Sequence, residues 1–132
     1  MRPGRPVDVG IVVGLAVAGA IGAPARYLVD AFVSHRTRAA FPWGTLVVNV
    51  TGCFLLGIIA GAAMYHAFPD TATVWLGTGF CGAYTTFSTF TFETTALLRD
   101  SRPLAALLYV GASVLLGLAA SAIGYVIGRA VM

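Results

Sequence analysis

Residues 79–90 read GFCGAYTTFSTF, in the middle of a stretch, 71–92, that contains no charged residue. A hydrocarbon core about 30 Å thick is crossed by roughly 20 apolar residues in a helix, so this stretch is long enough to span a membrane. Its centre is nevertheless crowded with glycine, threonine and serine, which weaken a helix. Irregular backbone at membrane depth is tolerated only where protein buries it or water wets it. Transporters and channels use such broken helices to hold ions with free backbone groups. The segment is therefore expected to be an ion site.

The rest of the chain agrees with a lipid environment. Of its 132 residues 58% are hydrophobic and 10% charged, and mean hydropathy is +0.88, against roughly a quarter charged in soluble proteins. Four windows are long and apolar enough to span or nearly so, at 9–25, 44–65, 72–92 and 104–128. The first is longer than a signal-peptide core and is followed by three more, so it is read as a retained helix. The expected architecture is all-α: one transmembrane domain over 1–132 with helices over 7–32, 44–66, 72–98 and 103–130, the third broken near 79–86. That leaves a short N-terminal arm and no extramembrane domain. Trp43, Trp75, Tyr27 and Tyr65 lie at expected helix ends, as interfacial aromatics do. Cys53 and Cys81 form no CxxC pair, so neither a disulfide nor a metal site is expected of them, and they read as small packing residues.

Arginine supplies all 8 basic residues. Across four spans, Arg2, Arg5 and Arg129 share one side and Arg36, Arg38, Arg99 and Arg102 the other. Orientation follows the Lys/Arg excess near helix ends, so near balance gives little instruction. Dual insertion, which permits an antiparallel homodimer, is one reading; a fixed orientation tipped by Arg26 is the other. Glycine and alanine recur at every fourth position: Gly10, Gly14, Ala18 and Gly22; Gly57 and Gly61; Ala120, Gly124 and Gly128. Such stripes let helix backbones approach closely.

Asn49 carries two amide donors of the kind an anion needs, or it makes an interhelical hydrogen bond. Thr85, Thr86, Ser88, Thr89 and Thr91, with Tyr109 and Ser113, supply hydroxyls for a polar track. Phe87 and Phe90, three residues apart, share a helix face. Their positive ring edges suit an anion, and core packing is the alternative. Arg26 and Glu93 are the ionisable groups nearest the membrane interior, and either is functional or snorkels to the interface. No paired carboxylates, HExxH, GxSxG or phosphate loop is present, so no enzyme is expected.

GAPARY at 22–27, PWGTLVVNVTGCFLLG at 42–57 and GFCGAYTTFSTFTFE at 79–93 closely resemble the CrcB/Fluc fluoride channels of bacteria. The resemblance implies an antiparallel dual-topology homodimer in the bacterial inner (plasma) membrane, with a heterodimer with a paralogue as the variant. It implies passive fluoride export through two pores and a structural sodium ion held by backbone carbonyls. The matching sodium positions are Gly82 and Thr85, the phenylalanine pair is Phe87 and Phe90, and the pore amide is Asn49. Ser88, Thr89, Tyr109 and Ser113 match the polar track, Arg26 the vestibule arginine and Glu93 the acidic residue after the pair. Gly117 departs from the pattern, standing where a serine often continues the track. The competing reading is a small dual-topology, proton-coupled multidrug exporter, which needs a central membrane carboxylate, whereas Glu93 lies toward a helix end. A non-transporting scaffold would leave the break and its hydroxyls without a purpose.

Overall fold

The computed structural model describes residues 8–131, in which every regular element is helical; Arg2 and Arg5 lie outside the described residues. Helix α1 spans Val9–Thr37. Asp8 caps it by accepting the Gly10 N–H at 2.9 Å, and it ends at Arg38 in the left-handed conformation, φ 48°. Helix α2 spans Trp43–Tyr65. The next stretch is divided into α3 (Asp70–Thr73), a π-helical segment (Val74–Cys81), α4 (Gly82–Tyr84) and α5 (Ser88–Arg99). Helix α6 spans Pro103–Val131.

Three helices, α1, α2 and α6, with 29, 23 and 29 residues, are long and apolar enough to cross a membrane. At 1.5 Å per residue even the shortest reaches about 35 Å. The third expected span is a succession of short pieces rather than one long helix.

Two expectations change. Helix α1 runs on to Thr37, past the expected end at 32, so Tyr27 is not at its exit. Arg26 and Asp30 end the apolar run, but nothing in YLVDAFVSHRT breaks a helix, and Ser34 Oγ donates to Asp30 Oδ1 at 3.2 Å within it. The interruption after α4 occupies 85–87, the end of the expected window, while 79–84 stays helical. The glycines are carried in the π-helical segment and α4, and the threonines form the break.

The small-residue stripes pack within the chain. A Cβ added at Gly57 or Gly61 of α2 would strike the carbonyl oxygen of Ser121 or Tyr125, and one at Gly124 or Gly128 of α6 that of Phe54 or Ile58. These four glycines let α2 and α6 meet backbone to backbone, where van der Waals contact replaces the missing hydrophobic drive. On α1, Gly22 lies against the Phe80 carbonyl and Gly14 against the Trp75 indole. Trp75 is thus half-buried between elements, and its Nε1 is buried without an acceptor among the described residues. Leu46, Leu97, Ala106 and Tyr109 form the core, with Phe90 packed against it. Val13, Val17, Ile21, Leu107, Leu115 and Leu118 face outward, as lipid-facing positions should.

Candidate functional site

The break is built around one side chain. Asn49, on α2, donates from Nδ2 to the Thr86 carbonyl at 2.9 Å and accepts the Thr86 N–H on Oδ1 at 2.8 Å. In an unbroken helix that N–H would close on the carbonyl of Gly82. Thr86 Oγ1 in turn accepts the Thr89 N–H at 3.2 Å, taking the donor that would close on the carbonyl of Thr85. The carbonyl oxygens of Gly82 and Thr85 are thereby released from the helical ladder. Carbonyl oxygens are the ligands a hard cation takes. No cluster of three or more His, Cys, Asp or Glu suited to a metal exists among the described residues.

Thr86, 8% exposed, is the residue whose importance the sequence conceals. Its backbone is held by α2 and its hydroxyl caps α5. The available signal was local: Thr86 and Thr89 stand three apart at a helix start, the spacing of an N-terminal cap.

A cavity of about 410 Å³ opens beside the break, and Asn49, Gly82, Thr85, Phe87, Phe90 and Ser113 all line it. The Phe87 and Phe90 rings lie 5.9 Å apart between centroids, tilted by 39°. Phe87 is 76% exposed, so its ring is not held by the core of a single chain. One of the two Asn49 Nδ2 hydrogens is used on Thr86, and the other remains for a ligand. Among the lining residues no side chain is cationic, and the Ser113 and Thr85 hydroxyls donate to the Tyr109 and Cys81 carbonyls, which leaves the amide and the ring edges as the groups an anion would meet.

The remaining expected residues stand elsewhere. Tyr109 is fully buried, with its ring 5.2 Å from that of Phe90. Its hydroxyl donates to Glu93 Oε2 at 2.7 Å, and Thr45 Oγ1 donates to Glu93 Oε1 at 3.0 Å. Both carboxyl oxygens of Glu93 are therefore engaged, and α2, α5 and α6 are joined through it. Ser113 reaches the cavity, but its hydroxyl donates to the Tyr109 carbonyl at 2.6 Å. Thr89 and Arg26 share a smaller hollow of about 130 Å³ with Asp30, Thr45 and Thr86. Ser88 lines a separate hollow on α5 with Thr91, Thr95 and Arg99. Gly117 turns toward α2, where a Cβ would lie 3.5 Å from Cys53 Sγ.

Comparison with known proteins gives concordant results. A family model described as CrcB-like protein, Camphor Resistance (CrcB), matches residues 13–125. A fluoride-specific ion channel, FluC 2, of Mycobacterium tuberculosis is 45% identical over 124 residues, covering 94% of this chain and 95% of its own length. FluC 1 of Frankia casuarinae is 46% identical over 123 residues, with 89% and 95% covered. FluC of Solidesulfovibrio magneticus is 47% identical over 117 residues, with 87% and 93% covered.

Proposed function

This chain belongs to the CrcB family, and we propose that it is a fluoride-specific ion channel through which the anion leaves the cell down its gradient. The geometric observation that carries this reading is the cavity lined by Asn49, Phe87 and Phe90 without a cationic side chain. Fluoride is small and tightly hydrated, so a path for it must replace water with close donors, and selectivity follows from the spacing and number of the groups that do so. The free Asn49 N–H and positive ring edges are such groups.

In this reading the broken segment is the third of four crossings of a bacterial inner membrane. Two copies in opposite orientations form the channel, or this chain with an oppositely inserted paralogue. The surfaces left open favour a partner at the break: Gly82 is exposed, and a Cβ added there would meet nothing within 4 Å. Two such breaks meeting at an axis would offer the Gly82 and Thr85 carbonyls of both copies to a structural sodium ion, which a hard oxygen donor set suits. Arg26 would raise the anion concentration near the mouth.

The test is efflux from vesicles containing the purified chain, loaded with fluoride or with chloride. Release of fluoride while chloride is retained supports the reading, and equal release of the two overturns it.

A further inference from the structure

Two thiols open onto the cavity that holds Asn49, Phe87 and Phe90. Cys53 from α2 and Cys81 from the end of the π-helical segment both line it. Neither is in a disulfide, and Cys81 is 2% exposed while Cys53 is half-buried. Opposite Cys53, α6 presents Gly117, whose missing side chain leaves the space beside the sulfur open. Thiolate sulfur is a soft donor that selects soft cations, whereas the carbonyls of Gly82 and Thr85 on the same cavity are hard donors. One hollow thus carries two cation preferences. A soft ion would settle on the sulfurs without competing for the oxygens.

We propose that this cavity is a binding site for a soft, thiophilic cation such as Hg²⁺, held by Cys53 and Cys81, and that its occupancy closes the anion path. Each thiol that binds exchanges its proton for a metal–sulfur bond, and the proton passes to water; no electron is transferred. Binding itself depends only on the two sulfurs and the room beside them. Closure rests on the fluoride reading, because Asn49, Phe87 and Phe90 share the hollow with the metal.

The experiment exposes purified full-length chain to mercuric chloride, removes free metal by gel filtration and measures retained mercury. Challenged with a modest excess of the monothiol glutathione before filtration, wild type should keep about one ion per chain, and Cys53→Ala, Cys81→Ala and the double variant at least about tenfold less. Retention by the double variant equal to wild type, no retention by wild type, or full retention by either single variant would each overturn the two-thiol site. Should the alanine variants fail to fold, Cys53→Ser and Cys81→Ser, which keep side-chain volume, carry the same comparison. Fluoride efflux is then measured with and without mercuric chloride, each variant against its own metal-free rate. Block in wild type and none in the double variant supports closure. Mercury retained without block overturns closure and puts the anion path outside this cavity. A wild type that conducts no fluoride defeats the channel reading, while mercury retention still decides the site.

Discussion

The carboxamide of Asn49 holds both backbone groups of Thr86, donating to its carbonyl at 2.9 Å and accepting from its N–H at 2.8 Å. A side chain on α2 thus stands in for the helical partners that residue 86 has lost, so the Thr86 N–H and carbonyl are not orphaned where the helix stops. The same amide keeps one N–H for the cavity, so the group that stabilises the break is also one an anion would meet.

Asn49→Leu should therefore act twice. It leaves the Thr86 N–H and carbonyl without their partner, costing about 1–3 kcal/mol for each buried group, and it removes the free donor. The expected result is a lower melting temperature in detergent together with loss of fluoride efflux. Wild-type efflux from this variant would place the anion path elsewhere.

Phe87→Ile and Phe90→Ile should separate conduction from folding. Volume is roughly kept, but the positive ring edge is lost, and about 1.4 kcal/mol of lost contact is a tenfold fall in fluoride flux. Phe87 is 76% exposed, so its replacement should shift the stability of the single chain by no more than about 0.5 kcal/mol. Phe90 lies 5.2 Å from the Tyr109 ring and should cost about 1 kcal/mol more. Efflux and thermal melting of both variants decide it.

Tyr109→Phe tests the buried network. The Tyr109 hydroxyl donates to Glu93 Oε2 at 2.7 Å and leaves the Thr45 contact at 3.0 Å as the other support of the carboxyl group. Losing a hydrogen bond of this kind costs about 1.5–3 kcal/mol. Thr45→Val should cost a similar amount by freeing the other oxygen. Unchanged melting of both would mean that water replaces the missing donor.

The parts legible in the sequence were those set by local pattern. Gly57, Gly61, Gly124 and Gly128 announce close helix approach by their spacing, though only the packing shows that α2 and α6 answer each other. The expected end of α1 at 32 falls short because polar and charged residues end an apolar window without ending a helix, and α1 runs on to Thr37. Glycine is the weaker helix former, so Gly79 and Gly82 suggest a break earlier than the one at 85–87. What decides its position is a hydrogen bond between residues 37 apart in sequence, Asn49 to Thr86, which no periodicity contains. Tyr109 and Ser113, one turn apart on α6, read as a continuous track, yet burial and the Glu93 bond hold one in the core while the other reaches the cavity.

The arginine balance predicts that one gene product inserts both ways. If the chain crosses the membrane four times, Arg36, Arg38, Arg99 and Arg102 fall on one side and Arg129 with the N-terminal arginines on the other, and the bias that sets orientation is nearly absent. A membrane-impermeant reagent should reach an N-terminal tag on about half of the copies. Labelling of all copies from one side would establish a fixed topology and require an oppositely inserted partner.

Gly82 gives the sharpest test of a partner at the break. A Cβ there meets nothing within 4 Å, whereas one at Gly57 or Gly124 would strike a backbone carbonyl of the same chain. Gly57→Val and Gly124→Val should therefore abolish folding of the single chain. Gly82→Val should leave that chain folded and act only by keeping a second backbone away. Cross-linking and size-exclusion of Gly82→Val should report monomer with wild-type helix content. If the released carbonyls of Gly82 and Thr85 hold sodium between two copies, the ion positions Phe87 and Phe90 without being carried. Replacing sodium by a large organic cation on both sides of the vesicle should then lower fluoride flux in wild type. Dimeric Gly82→Val, with flux unchanged after sodium removal, would mean that the break serves packing within one chain and joins nothing.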